Sequence, residues 1–580
     1  MSNENQEPIE IPEGVDPELI PYLLAAAEED EPGADGTDGA IGDSEGFDGE
    51  EEVRGVGLAD SSEEDDLEAL RTLVRETLLA GADPDLIAEL MGEESSWDPD
   101  YGDQAAQELE AWDSGDVLLE AELVRDAAHA AALDEAEAES AMNDLYQSLL
   151  ARAPEHDFDP TLDRTEQALY ILGDPQDAYP SIHVAGTNGK TSTTRLAAAL
   201  LSAFDLRTGT FTSPHLESVR ERIQVNGTPL SASEFLAYWR DVEPYIDLVD
   251  QKAKEAGQPQ ISYFEALTIT ALAAFADIPV DVAVVECGMG GRFDSTNVLN
   301  SGVQVITPIS LDHQRWLGDT IEDIAAEKAA IIKDKSMVVV AKQPAEALAV
   351  IEAKCTETDS VMRLEGVDWE ILDRTPGVGG QMITVRTQAA VYEDMFIPLH
   401  GAHQAQNAAA ALVAVEAMMG GKALAPEVVE AGFLVARSPG RLEVVRRSPT
   451  ILVDAAHNPS GVEAMRLGLL EAFPTSYLVG VFSAMGDKNI EAMLVEAEQV
   501  LEQIVLVPLP GDRAADIADL QELAEDVFGE DRVHVEEDLA EAIDRAVALT
   551  DAPTDPSLQR AVVAFGSIML VGAVSGLLRR

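Results

Sequence analysis

The sequence predicts an α/β protein with two parallel-sheet domains behind an acidic extension. Three observations carry this. From about Met142 onward, apolar strands alternate with Ala-rich helical stretches, the pattern of parallel βαβ units. One strand–helix junction carries a glycine- and lysine-bearing loop, residues 186–191. Before that texture begins, acids dominate: residues 1–140 hold 44 Asp and Glu against four Arg and no Lys. Residues 141–580 hold the other 65 acids with 33 bases, so a quarter of the chain carries over half of its net charge of −72.

The elements follow in order. Residues 1–58 mix acids with glycine, as in GADGTDGAIGDSEGFDGEEE, and self-repulsion with little apolar surface predicts disorder. Residues 64–92 place apolar residues at i, i+3, i+4 and predict a helix. A second helical stretch runs from about Gln104 to Leu149. The whole extension, 1–140, reads as a solvated solubilising segment or a small docking element. Strands are expected at Ser181–Ala185, Val282–Glu286, Val303–Pro308 and Met337–Ala341. A second series is expected at Thr450–Asp454, Ser476–Val481, Gln503–Val507 and Ala561–Phe565. Leu434–Pro439 is the expected boundary, which gives domains over 141–435 and 436–580. No internal repeat is evident.

Composition excludes several classes. No run of about 18 apolar residues occurs, which argues against a membrane span. MSNENQEPIEIPEG has neither a basic nor an apolar signal region, so no secretory leader is expected. Cys287 and Cys355 cannot build a disulfide framework, and a reducing cytoplasm fits them. A pI of about 4.1 argues against nucleic acid and acidic membranes as partners.

The segment SIHVAGTNGKTSTTRLAAALL, residues 181–201, carries the chemistry most directly. An apolar strand enters Gly186-Thr187-Asn188-Gly189-Lys190-Thr191, and an Ala/Leu helix follows. Glycines let backbone N–H groups turn inward around phosphate oxygens, and a helix N-terminus adds partial positive charge. Lys190 suits the β/γ-phosphates of ATP, and the Thr191 hydroxyl can reach Mg²⁺. The strict G-x-x-x-x-G-K-[ST] pattern fails, because its first glycine would fall at Val184. The bland alternative is a glycine turn with a chance lysine. Because the global field repels ATP and acidic substrates, a local set of cations has to overcome it.

The loop HVAGTNGKTS resembles the ATP loop of the Mur ligase superfamily, in its folylpolyglutamate synthase/dihydrofolate synthase branch. Further blocks agree in order and spacing: FTSPHLESVRERIQVNG (211–227), SYFEALT (262–268), VVECGMGGRFDSTNVL (284–299), ISLDH (309–313), IAAEKAAIIK (324–333), GAHQAQNAAAAL (401–412), SPGRLE (438–443), DAAHNPSG (454–461) and FGSIMLVG (565–572). The match spans about 142–580 and leaves the acidic extension uncovered. The resemblance implies a P-loop ATPase domain followed by a smaller Rossmann-like C-terminal domain. It implies an ATP-dependent, ADP-forming amide ligase working through an acyl phosphate, with L-glutamate as the incoming amine and dihydropteroate and folates as acceptors.

The resemblance also implies site residues. Ser213, in Thr-Ser-Pro-His, becomes a Mg²⁺ ligand, where a lone TSP would be only a turn. Glu286 ends a predicted parallel strand, where α/β sheets bind ligands, and is a hard oxygen donor; its alternatives are a cap or a salt-bridged strand end. His313 matches a ligand of a second Mg²⁺, although a lone histidine is more often structural. Lys328 matches a lysine that CO₂ converts to a carbamate ligand, although it reads as an ordinary helix-surface lysine. Asn407 matches an adenine contact, with a helix N-cap as its alternative. Arg441, Asp454 and His457 match residues that close on ATP: a planar fork for phosphate, a carboxylate for ribose hydroxyls, and an imidazole for transferring charge. A domain-interface ion pair is the alternative for these three. Asp487-Lys488-Asn489 departs from the usual Asp-Lys-Asp and receives no role. A monovalent cation and a monomeric state are also implied. The competing functions are a monofunctional folylpolyglutamate synthase, another Mur-type amide ligase, and a non-catalytic nucleotide-binding scaffold.

Overall fold

The structure, a computed structural model, describes residues 137–153, 160–473, 476–511, 513–551 and 559–579. The disorder expected over 1–58, the helix expected over 64–92 and most of the stretch from Gln104 lie outside the described residues. The end of that stretch is a helix over 137–150, with Met142, Leu145 and Leu149 buried.

The larger sheet has eight strands in the order β4-β3-β2-β5-β1-β6-β7-β8. These are β1 (Ser181–Ala185), β2 (Thr208–Phe211), β3 (Ile223–Val225), β4 (Thr228–Pro229), β5 (Val282–Glu286), β6 (Val303–Ile306), β7 (Met337–Val340) and β8 (Val361–Leu364). From β2 to β8 the pairing is parallel, and β3 and β4 add an antiparallel edge. β1 and β5 are buried at every position, which explains their continuous apolar texture: helices cover both faces.

Helix α1 (Lys190–Ala203) follows β1 and presents Leu196, Leu200 and Leu201 to the core. Each contributes roughly 1.5–3 kcal/mol by leaving water. Later in the chain come α2 (Tyr263–Asp277), α3 (Ile321–Ala329) and α4 (Ala402–Met418). The buried alanines of α4, Ala405 and Ala408–Ala411, let its backbone lie close against α1. The Ser262-x-x-Glu265 pair starts α2 as a reciprocal capping box.

A three-stranded antiparallel sheet, order β11-β10-β9, had no counterpart in the sequence expectations. It comprises β9 (Glu370–Gly377), β10 (Gly380–Arg386) and β11 (Val391–Ile397). Most of β9 is half-buried or exposed and it holds Pro376, which argues against a strand locally; pairing with β10 decides otherwise. The C-terminal sheet has the order β12-β13-β17-β14-β15-β16. Its strands are β12 (Glu443–Arg447), β13 (Thr450–Asp454), β14 (Ser476–Phe482), β15 (Gln503–Leu506), β16 (Val533–Val535) and β17 (Gln559–Phe565). Only β12 is antiparallel to its neighbour. Helix α5 (Pro459–Ala472) leaves the carboxyl end of β13.

The eight expected strands all form, with ends shifted by at most two residues. The largest trim has a clear cause. β6 stops at Ile306 because Pro308 has no N–H, and its carbonyl turns away to accept from Thr187 N (3.0 Å) and Asn188 N (3.4 Å). The expected boundary at Leu434–Pro439 takes in the last two residues of a helix, Pro426–Val435, and part of the link to β12. Both cysteines are free and buried. No helix among the described residues is long and apolar enough to cross a membrane.

Candidate active site

Loop 186–191 joins β1 to α1, whose N-cap residue Gly189 supplies no side-chain cap. The first N–H groups of α1 are therefore open to an anion, and the helix dipole favours one. Gly186 (φ 151°) and Gly189 (φ 87°) are required twice over. A β-carbon on Gly186 would run into Thr307, and one on Gly189 into the Asn407 amide. Lys190 Nζ donates to the carbonyls of Gly186 and Thr187, both at 3.2 Å, so the ammonium is folded over its own loop.

Glu286, at the end of β5, ties this loop to the Ser213 loop. Its Oε1 accepts from Thr191 Oγ1 (2.8 Å) and its Oε2 from Ser213 N (3.1 Å). The residue is 1% exposed. Burial pushes its carboxyl above the ordinary value, while Lys190, Thr191, Ser213 and Arg441 pull the other way. The carboxylate and the Thr191 hydroxyl thus meet beside the backbone of Ser213, and oxygen donors of this kind suit Mg²⁺. Among the described residues, Glu286 caps no helix and forms no salt bridge.

His313 sits at the start of a short helical turn in the left-handed region (φ 51°). Its Nδ1 is buried without a hydrogen-bond partner, so the structural alternative for it lacks a satisfied ring. Burial lowers its pKa to about 3, with neighbouring Lys488 and Lys190 acting in the same direction, which keeps it neutral and able to ligate. Lys328, on α3, is 4% exposed, which removes the solvated-lysine alternative. Burial lowers its pKa to about 7, helped by Lys190. The turn after β5 packs on this helix through Arg292 N donating to Glu327 O (2.9 Å) and an Arg292–Glu327 ion pair (3.0 Å).

The C-terminal sheet supplies the opposite wall. Asp454 ends β13; its Oδ2 accepts from Leu442 N (2.9 Å) and its Oδ1 from Ala456 N (2.8 Å). It thereby pins the loop that carries Arg441. Burial raises the Asp454 carboxyl, and Arg441 opposes that. His457 Nδ1 lies 2.9 Å from the Ala455 carbonyl. A carbonyl only accepts, so Nδ1 bears the proton, and Nε2 lies 3.6 Å from Asp312 Oδ2. Beyond it lies Asp312, whose Oδ1 takes a 2.6 Å ion pair from Lys488. Burial alone would raise this carboxyl, but hydrogen bonding to His457 and the Lys488 ammonium hold it well below the usual range.

Thr187, Asn188, Gly189, Lys190, Thr191, Ser213, Glu286, His313, Asn407, Arg441, Asp454 and His457 all line one cavity of about 470 Å³. Gly186 and Lys328 lie just outside its lining. Asn407 is inside α4, whose N-cap is Gly401, so it is not the helix cap. Sequence reasoning missed Asp312, Asn458 and Lys488. The signals were present in Leu-Asp-His, His-Asn-Pro and Asp-Lys-Asn, but their partners lie 146 and 176 positions apart. It also missed the cavity's apolar end, where Phe264, Met289 and Phe293 stand near Asp294 and a buried Arg164–Glu265 pair (3.0 Å).

Residues 184–415 match the Mur ligase middle domain, and residues 440–567 match the Mur ligase glutamate ligase domain. The chain is 44% identical over 448 residues to a dihydrofolate synthase/folylpolyglutamate synthase of Mycobacterium tuberculosis, covering 74% of this chain and 92% of the relative. It is 31% identical over 362 residues to the Escherichia coli protein of the same name, covering 62% and 80%. Among solved structures, Mycobacterium tuberculosis folylpolyglutamate synthase complexed with ADP and AMPPCP superimposes with a TM-score of 0.73 at 43% identity, covering 76% of this chain and 99% of that one. The Escherichia coli FolC protein in complex with DHPP and ADP gives 0.64 at 28% identity, covering 75% and 97%.

Proposed function

The chain belongs to the dihydrofolate synthase/folylpolyglutamate synthase family of Mur ligases, and on that premise we propose a chemistry for its cleft. The protein is an ATP-dependent, ADP-forming ligase that joins L-glutamate to the carboxylates of dihydropteroate and of folates. One observation carries this: the phosphate loop on the larger sheet and Arg441, Asp454 and His457 on the smaller one face the same cavity. Each half alone binds; only both together surround a transferring phosphoryl group.

The acceptor's carboxylate oxygen attacks the γ-phosphorus of ATP, the bond to the bridging oxygen breaks, and ADP leaves. The glutamate amine then attacks the acyl carbon, phosphate departs, and the nitrogen sheds a proton. Condensation of a carboxylate with an amine in water needs such an activated leaving group. Lys190 swings from the loop carbonyls to the β/γ-phosphates. Arg441 holds phosphate oxygens with its planar fork, Asp454 takes the ribose hydroxyls, and Asn407 meets the adenine edge. His457, set by the Ala455 carbonyl, steadies the transferring charge through Nε2. The apolar end of the cavity, walled by Phe264 and Phe293, suits a planar pteridine.

Thr191, Ser213 and Glu286 would hold one Mg²⁺, and His313 with Lys328 a second; bound there, magnesium neutralises phosphate charge. The pKa of about 7 leaves Lys328 substantially unprotonated at neutral pH. Its lone pair can then add to CO₂ and lose a proton, turning a buried cation into an anionic oxygen ligand. The monovalent cation is proposed on the resemblance alone. We further propose the division 1–140, 141–435 and 436–580, a monomer, and a cytoplasmic location, which two free buried cysteines suit.

The test is phosphate release with ATP, Mg²⁺ and L-glutamate, run separately with 7,8-dihydropteroate and with a tetrahydrofolate monoglutamate. Turnover with both is expected. Turnover with the folate alone reduces the enzyme to a chain-extending synthase. Silence with both, matched by Lys190→Ala, overturns the assignment.

A further inference from the structure

Asn188 stands in the middle of the phosphate loop, yet its side chain points across the cleft. Its Nδ2 donates to Asn458 Oδ1 (3.2 Å) and Ser460 Oγ (2.8 Å), and its Oδ1 accepts from Asn458 Nδ2 (3.1 Å). Asn458 Nδ2 also donates to Asp312 Oδ2 (2.9 Å), and Ser460 Oγ lies 2.9 Å from Ser310 Oγ. Lys488 closes the row on Asp312. The larger sheet contributes Asn188, Ser310 and Asp312; the smaller contributes Asn458, Ser460 and Lys488.

Asn458 has no freedom left. It is 2% exposed, and its Oδ1 additionally accepts from Gly461 N (2.8 Å) as the N-cap of α5. A reciprocal amide pair forms only when the two loops sit at one separation and one orientation. His457 is the residue before Asn458, so that separation also sets where its ring stands relative to the phosphate loop. The far end of α5 is fixed as well, by Arg374 donating to Glu471 (2.8 Å) from β9.

We propose that Asn458 and Ser460 are positioning residues that latch the smaller domain onto Asn188, so that seating a nucleotide on the phosphate loop and presenting His457 across the cleft are one coupled event. The latch acts through the loop and the histidine and touches no reacting atom. The inference rests on the ligase reading only for the identity of the loop's ligand.

The test is a double-mutant cycle of Asn188→Ala and Ser460→Ala, with Ser460→Thr as the conservative variant. Spin labels on cysteines introduced at exposed Val378 and Val495 report the distance between the halves. With AMPPCP and Mg²⁺ and no folate, the full chain is expected to give one narrow distance. Each alanine variant broadens it, the double variant broadens it no further, and Ser460→Thr restores it. In turnover, Ser460→Ala lowers kcat about two- to tenfold, the range of one neutral hydrogen bond, with the melting temperature unchanged. Effects that multiply in the double variant, or a nucleotide-bound distance that Ser460→Ala leaves unaltered, would overturn the latch. Because the distances need nucleotide alone, absence of turnover with both folate acceptors would sink the acceptor assignment and leave this result standing.

Discussion

Glu286→Gln separates what the buried carboxylate does for folding from what it does for catalysis. The carboxylate accepts from Thr191 Oγ1 at 2.8 Å and Ser213 N at 3.1 Å. Glutamine has the same size and satisfies both: its carbonyl oxygen takes the Ser213 N–H, and its amide donates to the rotatable Thr191 hydroxyl. That exchange costs under about 1 kcal/mol. Against it stands the removal of a charge from a buried site, where burial is the largest cause raising the carboxyl above its ordinary 4.5. The melting temperature is therefore expected to hold or rise, about 1 kcal/mol corresponding to roughly 2–4 °C in a domain of this size. The pH dependence follows the same sign. A carboxyl raised in the folded state binds a proton the unfolded chain has released, so stability falls as pH rises past about 4.5, and the variant flattens that fall. Catalysis should lose at least about 100-fold, because the anion that gathers Thr191 and Ser213 is gone. Thermal melts between pH 4 and 8 and phosphate release at saturating ATP measure both. A melting temperature lower by more than about 4 °C refutes the hydrogen-bond accounting. Activity within about tenfold of wild type refutes the ligand role.

Lys190→Ala should abolish ATP-dependent phosphate release while leaving the melting temperature unchanged, since its partners are two loop carbonyls at 3.2 Å. Gly189→Ala forces a side chain into φ 87° against Asn407, and should raise the KM for ATP about tenfold or more, measured by initial rates. Lys328→Ala should lose turnover and regain part of it with added acetate or propionate, whose carboxylate would stand in for the proposed carbamate. Lys328→Met addresses stability: a lysine held at about 7 when folded and 10.5 when unfolded makes the fold gain stability as pH rises between those values, and the variant should lack that gain in denaturant melts.

Much of this molecule was legible locally. An apolar run of strand length, a glycine-rich turn and an Ala/Leu helix are neighbours in sequence, so residues 181–203 announce their structure and their taste for phosphate without any distant contact. The same holds for Glu286 and Asp454, each closing a buried strand at the carboxyl edge where ligands gather. What periodicity cannot carry is pairing between distant segments. The β9–β11 sheet depends on cross-strand partners that override Pro376 and the exposure of β9. Lys328 looks like any helix lysine until α3 is packed, and burial then takes its pKa from 10.5 to about 7. Asn188 and Asn458 are 270 positions apart, and their amides meet only when two separately coded sheets face each other. Residue types and their local spacing determined the phosphate loop, and the resemblance supplied the proposed magnesium ligands. Only the tertiary structure decided which are desolvated and which face one another, because burial and distance between remote segments are properties of the packed chain.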